Sequence, residues 1–399
     1  MRRVARSALL VLIFTMPWEN VYEVGGAARV SKLVGAGASL VWLLAVVVTG
    51  TVRRPRPVHV VVLMFATWNL LSLLWSQDPA TTLGQSLTYV QLALLVFVLY
   101  DILRTLGDLR AAMQAYVLGC WVTVISLFAK YASGGAEEAV RFTTGTFEVN
   151  SLGLVIGLAI PFAWYLAVGQ REHARPSLLT MPNLVYIPVA VVAVLLTGSR
   201  SALVSLLPGI VYVILWLFRL GVSRRLLAVV VVGAAGLFLL SEPVVPQRTI
   251  DRLATTGEAL TTGSFGGRTN TWEVAFQTFQ DHPLIGIGSG AFKTPGLEKA
   301  AHNVALRFLV EIGLIGFLLF LAILLLTALE IRGQPRMLAG LWISLLTMWA
   351  IGAAVHNFED RKQTWLVFAL VAVGAGLPRR QPSRPTVELA GAQSLVRQS

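Results

Sequence analysis

Residues 185–196 read VYIPVAVVAVLL and residues 226–240 read LLAVVVVGAAGLFLL, two runs without a charged side chain. Runs of this kind read as segments dissolved in lipid. The rest of the chain agrees with them. Of 399 residues, 56% are hydrophobic and 13% charged, and the mean hydropathy is +0.72. No soluble protein of this length could hide so much apolar surface in one core. The expected fold is therefore all-α, a polytopic transmembrane helical bundle. A hydrocarbon core of about 30 Å needs roughly 20 residues of helix. By that measure spans fall near 7–23, 30–50, 58–76, 85–103, 111–131, 149–169, 184–199, 201–218, 226–243, 304–326, 338–355 and 363–378, about 12 in all.

The first span begins like a signal peptide, with Arg2, Arg3 and Arg6 before the apolar stretch Ser7–Trp18. It lacks a small-residue cleavage site, and Glu19 and Asn20 follow directly, so it reads as a retained helix. The net charge of +12 invites a nucleic-acid partner. Distribution excludes one, because the basic residues sit in short loops between apolar runs. The lone cysteine, Cys120, lies inside such a run, which leaves no disulfide framework and no thiol metal site.

An even number of spans puts both ends on one side, and basic residues choose the side. With the N-terminal side inside, the inner loops are short and nearly all basic: Arg53, Arg54 and Arg56; Arg104 and Arg110; Arg219, Arg224 and Arg225; Arg332 and Arg336. The one long loop, 241–303, is then outside. It is polar, with a Thr/Gly stretch around Thr255–Gly267, and it holds a candidate amphipathic helix. There Trp272, Ala275, Phe276 and Phe279 share a face at i, i+3, i+4, i+7 spacing. Asn270 and Glu273 have capping-box spacing, and Asp281-His282-Pro283 ends the segment. A loop that packs an apolar helix face folds down on the membrane domain.

Few outer residues could carry chemistry. Arg200, in Thr197-Gly198-Ser199-Arg200, occupies a tight turn between two hydrophobic runs and is the only charge between Arg175 and Arg219. A snorkelling arginine explains it; so does a positive charge fixed at the bilayer rim for an anionic group. Arg268 follows Gly266-Gly267 and opens the amphipathic helix. It is either a solvent-exposed side chain or a phosphate clamp beside backbone N–H groups. His302, with Asn303, closes the loop as the tenth span begins. Imidazole is the natural base near neutral pH, although a single histidine is more often structural. Arg307 and Glu311, one turn apart within a span, read as an internal ion pair.

Three further features carry less. Gly286-Ile287-Gly288-Ser289-Gly290 resembles a phosphate loop, but no Lys-Ser/Thr follows, so a tight turn is expected. His282 reads as a turn residue. Glu19 and Glu23, in the first outer loop, could form a metal pair.

The motifs in their order resemble one family. Gly267-Arg268-Thr269-Asn270-Thr271-Trp272, Asp281-His282-Pro283-Leu284-Ile285-Gly286-Ile287-Gly288 and His302-Asn303 are similar to the O-antigen ligase and polymerase superfamily. His302-Asn303, nine residues, Gly313, two residues and Gly316 resemble its signature H-[NSQ]-x9-G-x-x-G. Thr197-Gly198-Ser199-Arg200 resembles the arginine motif before the family's large periplasmic loop. Arg141-Phe142 through Gly145 and Asn150-Ser151-Leu152-Gly153 resemble its upstream loop. The resemblance covers about 141–326. It implies N-terminal helices at 1–140, a ligase-like catalytic region at 141–326 that includes the loop 241–303, C-terminal helices at 327–378 and a basic cytoplasmic tail at 379–399.

The resemblance further implies a metal-independent GT-C glycosyltransferase in the bacterial inner membrane, with both termini cytoplasmic. Its donor would be a glycan on undecaprenyl diphosphate, and its acceptor a hydroxyl of lipid A–core (ligase) or of a growing glycan (polymerase). Membrane lipids would be further partners, and no cofactor is implied. Arg200 and Arg268 would be diphosphate ligands, His302 the base or acceptor-orienting group, and Arg141 and Asn303 further substrate contacts. The ligase-like histidine motif tips the reading toward ligase. A lipid-linked oligosaccharide transporter is the competing class, since charged residues in spans mark substrate paths. Such transporters show two similar halves, whereas here the long loop is off-centre and no internal repeat is found.

Overall fold

The computed structural model describes residues 1–21, 23–24, 28–133, 141–169, 178–241, 247–254, 269–292 and 303–377. It is an all-α helical bundle, with one two-residue antiparallel ladder pairing Glu23–Val24 with Ala28–Arg29. A helix lies at each of the twelve expected spans. These are α1 (Arg2–Thr15), α2 (Val30–Thr49), α3 (Pro57–Leu71), α4 (Pro79–Ile102), α5 (Leu106–Ala132), α6 (Val149–Val168), α7 (Thr180–Leu196), α8 (Arg200–Leu217) and α9 (Val222–Ser241), followed by α12 (Val304–Glu330), α13 (Arg336–Ala353) and α14 (Lys362–Ala375). Two more, α10 (Gln247–Ala254) and α11 (Thr269–Asp281), belong to the long loop. Among the described residues, eight helices are long and apolar enough to cross a bilayer. The apolar α7 and α14 are shorter, at 17 and 14 residues. The first span is shorter than the sequence suggests, because α1 ends at Thr15 and a 3-10 turn, Met16–Trp18, follows.

Burial separates the helices into two kinds. Almost every side chain of α6 is buried against α5, α7, α8 and α13, so a helix apolar on all sides becomes the protein core. The peripheral helices instead turn rows of apolar residues outward at helical spacing. Leu40, Leu43, Leu44 and Val47 on α2 and Leu314, Leu318, Leu321 and Leu325 on α12 are examples. Such rows would be unfavourable in water and are stable in hydrocarbon, where each Leu, Ile, Phe or Val contributes about 0.3–0.6 kcal/mol near a helix centre.

The loops meet in two groups, one at each end of the bundle. At the end reached by the basic loops, Asp101 accepts hydrogen bonds from Arg2 (3.1 Å), the Arg53 backbone (2.8 Å) and Arg104 (2.7 Å). Arg56 pairs there with Glu330 (2.7 Å) and Arg6 with Asp108 (2.6 Å). At the opposite end, called the outer end below, Thr146 N donates to Asn20 O (2.8 Å) and Gln77 N to Ile287 O (2.9 Å). There too the Lys362 ammonium reaches Glu19 and Ser31. Among the described residues no hydrogen bond between loops joins one end to the other, as alternating passes require.

The tenth expected span, α12, is broken inside its apolar run. Gly313 takes φ 67° and ψ −173°, so the helix stops and restarts there. A break within a span leaves amides and carbonyls that lipid cannot satisfy. Residues 283–288 supply the partners. Ile287 N and Gly288 N donate to Val310 O (3.0 Å) and Glu311 O (2.8 Å), while Leu314 N and Ile315 N donate to Pro283 O (2.9 Å) and Leu284 O (3.2 Å). Trp68 Nε1 donates to the remaining carbonyl, Ile312 O, at 2.9 Å. Positive φ favours glycine at 313, and space demands it, since a Cβ there would stand 2.2 Å from Leu284 O. The run Gly286–Gly290 is thus more than the expected turn: it is stitched to α12 and ends with Gly290 N donating to the Glu311 carboxylate (2.7 Å).

The amphipathic helix α11 packs on α12 as expected, but on a rotated face. Ala275 is buried with Ile287, Phe292 and Val310, and Thr271 is buried one turn earlier, whereas Phe276 is 54% exposed. The sequence pattern put Phe276 on the buried side.

Candidate active site

Arg200 is held by the turn that joins α7 to α8. Gly198 takes φ +58° there, which lets the chain reverse within three residues. Ser199 then caps α8, its Oγ accepting from Ala202 N at 3.3 Å, and Arg200 opens the helix with its side chain half-buried. A guanidinium at a helix start is opposed by the helix dipole.

The loop before α6 closes onto this turn. Phe142 N donates to Leu196 O (3.1 Å), and Gly145, at φ +57°, lies so close to Asn20 O that a Cβ would be 1.8 Å away. Arg141 Nη2 donates to Asn150 Oδ1 (2.6 Å), and the same oxygen accepts from Ser199 Oγ (2.8 Å). Asn150 Nδ2 donates to Glu148 (2.9 Å), which also accepts from Ser151 (3.2 Å). One amide therefore ties Arg141 to the Arg200 turn.

Asn303 stands at the same end. Its Oδ1 caps α12 by accepting from Leu306 N (3.0 Å), and its Nδ2 donates to Ala354 O (3.1 Å) in the loop between α13 and α14. That loop carries His356, whose Nε2 lies 2.5 Å from Ser201 Oγ, beside Arg200. The structure thus brings Arg141, Arg200 and Asn303 to one end through shared neighbours. Arg268 and His302 lie outside the described residues.

Below this rim sits a buried ion cluster. Arg307 pairs with Glu311 (3.0 Å), as the sequence suggests, and also with Glu359 and with Asp360 (3.6 Å). The cluster thus draws on α12 and on the loop before α14, and three carboxylates surround one guanidinium. Burial, opposed by Arg307 and reinforced by Asp360, pushes the Glu359 carboxyl up to about 7. Glu19 is engaged by the Lys362 ammonium and Ser31 Oγ, which accounts for its charge without a metal; the side chain of Glu23 lies outside the described residues. Among the described residues no group of three His, Cys, Asp or Glu side chains is arranged to hold a metal ion.

Sequence reasoning missed His356, Asn150 and Glu148 as parts of this end. Asn150 lay within a quoted motif. His356-Asn357 repeats the dipeptide His302-Asn303 at the start of another outer segment, a signal that was there to be found. Ser201, its partner, is 155 positions away.

Comparison with known proteins follows the same residues. A family model described as O-antigen ligase matches residues 184–321, which include Arg200, Arg268, His302, Gly313 and Gly316. The chain is 26% identical over 296 residues to an O-antigen ligase of Pseudomonas aeruginosa, covering 70% of this chain and 67% of the relative. It is 22% identical over 330 residues to the exopolysaccharide production protein ExoQ of Rhizobium meliloti, with 73% and 65% covered. A protein of Rickettsia felis, named as a polysaccharide ligase, is 22% identical over 289 residues, with 65% of each covered. The matched stretch thus spans about two thirds of the length of each of these relatives.

Proposed function

We propose, from this chain's membership of the O-antigen ligase superfamily and the convergence of arginines at its outer end, that it transfers a glycan from a lipid diphosphate to a hydroxyl acceptor. The donor is a glycan on undecaprenyl diphosphate, presented at the periplasmic face of the inner membrane, and the acceptor is lipid A–core. The acceptor oxygen loses its proton to His302 and attacks the anomeric carbon. The bond from that carbon to the diphosphate breaks, and the leaving diphosphate keeps the electron pair. Arg200 and Arg268 neutralise the charge that develops on it, with Arg141 and Asn303 as further substrate contacts. Preorganised donors aimed at developing charge can supply several kcal/mol in a site that excludes water. A diphosphate leaves readily, so a general base matters more than a general acid.

The observation that carries this reading is the linkage of the Arg141 guanidinium, through Asn150 and Ser199, to the turn that carries Arg200. The relative named for exopolysaccharide production favours a second reading, a polymerase that uses the same donor and a growing glycan as acceptor. The species that accumulates on removal of the gene separates the two: uncapped core for a ligase, single lipid-linked repeat units for a polymerase. Restoring the gene as His302→Ala should leave that species in place, since losing a general base costs about 10²–10⁴-fold. Full restoration by His302→Ala, at wild-type protein level, would exclude the base.

A further inference from the structure

His356 lies in the loop between α13 and α14, beyond the residues that the family model matches. Its side chain is buried, at 1% exposure, and its Nε2 is 2.5 Å from Ser201 Oγ. Ser201 Oγ is 3.2 Å from Ser199 Oγ, which is 2.8 Å from Asn150 Oδ1. A series of polar contacts therefore runs from the loop before α14, through the first turn of α8, to the loop before α6.

Proton inventory gives this series a direction. The Asn150 amide is oriented by its Nδ2, which donates to the Glu148 carboxylate, so its Oδ1 faces Ser199 and can only accept. The single hydroxyl proton of Ser199 goes to that oxygen. Toward Ser201, Ser199 must then accept, as it also does from Ala202 N. The Ser201 proton is spent on Ser199, and the contact with His356 is completed by an N–H on Nε2 that donates to Ser201. A histidine with its proton at Nε2 cannot take a proton from a substrate at that atom. Its other ring nitrogen, Nδ1, is buried as well, so neither nitrogen is offered to a substrate and the geometry separates His356 from the base role.

We propose that His356 is a positioning residue for the donor side of the site. By donating to Ser201 it fixes the first turn of α8, and with it the direction in which Arg200 projects. Residues 199, 200 and 201 are consecutive, and the two serines that flank the arginine are both held, one by Asn150 and one by His356. This rests on the reading of Arg200 as a ligand of the donor diphosphate.

Kinetics of the purified full-length protein test it, with an undecaprenyl-diphosphate-linked glycan and the acceptor varied separately. Losing a hydrogen bond worth about 1 kcal/mol predicts a roughly fivefold rise in donor KM for His356→Ala, with the acceptor KM nearly unchanged. His356→Gln, which returns an N–H near the Nε2 position, should recover most of the loss. Ser201→Ala should match His356→Ala, and the double variant should be no worse than either single one. The proposal is overturned if a folded His356→Ala keeps the wild-type donor KM, if the acceptor KM rises in its place, or if the two losses multiply. Should His356→Ala fail to fold, Ser201→Ala and His356→Gln decide by the same donor KM. A wild-type donor KM for Arg200→Ala would instead overturn the diphosphate reading beneath it.

Discussion

An ammonium and a guanidinium carry the same charge but not the same geometry. Arginine offers five N–H donors in a planar fork that can grip two oxygens of one phosphate, whereas lysine is a flexible point charge. If Arg200 holds a diphosphate, Arg200→Lys should impair transfer severely although the charge is kept. A variant whose transfer stays within about twofold of wild type, a difference well under 1.4 kcal/mol, would mean that only charge matters at this position. Arg200 stood out in the sequence as the only charge between Arg175 and Arg219, in a tight turn that a snorkelling arginine would also explain. Arg141 was legible only through a motif, because its link to Arg200 passes through Asn150 and Ser199, residues that carry no charge pattern. His356 was not legible as part of this end. A lone histidine carries no periodic signal, and its partner lies 155 residues earlier.

At the scale of elements, a helix at each of the twelve expected spans followed from apolar runs, whereas the polar α10 and the break in α12 did not. Nothing in the hydropathy of residues 304–330 interrupts a continuous helix, since one glycine is tolerated in a span. The break becomes intelligible only when the backbone of residues 283–288 is laid beside it. Two segments that resemble separate family motifs are then one unit: of the groups freed at Gly313, Pro283–Gly288 satisfies Val310 O, Glu311 O, Leu314 N and Ile315 N. Gly313→Ala should accordingly disrupt folding. It would place a methyl group 2.2 Å from Leu284 O at φ 67°, and strain of this kind costs about 1–3 kcal/mol before any clash is counted. Thermal unfolding of the detergent-purified protein reads the loss; an unchanged transition would mean that α12 tolerates a continuous course. The rotated face of α11 has a similar origin. Trp272, Ala275, Phe276 and Phe279 are near neighbours on a helix, but it is small Ala275 that packs with Val310, Thr271 is buried one turn earlier, and Phe276 is left outside.

For the whole molecule, the two-ended arrangement was the most legible feature, because it rests on charge and hydropathy summed over many residues. The segregation of loop contacts into two ends agrees with it. Which end faces the cytoplasm rests on the basic loops alone and is open to direct labelling. Cys120 is buried and should stay silent toward an impermeant thiol reagent. On this background, cysteine at the exposed position Gln280 should react in intact cells, and cysteine at exposed Ser223 only after permeabilisation. The reverse pattern would invert the protein and put the Arg200 end in the cytoplasm. The most direct test of the function is transfer by the purified chain in lipid, from an undecaprenyl-diphosphate-linked glycan to lipid A–core, with divalent ions removed by EDTA. Glycosylated lipid A–core should form at an undiminished rate in the wild-type protein and fail to form with Arg200→Ala; loss of transfer on chelation, restored by Mg²⁺ or Mn²⁺, would contradict a mechanism in which arginines alone carry the diphosphate charge.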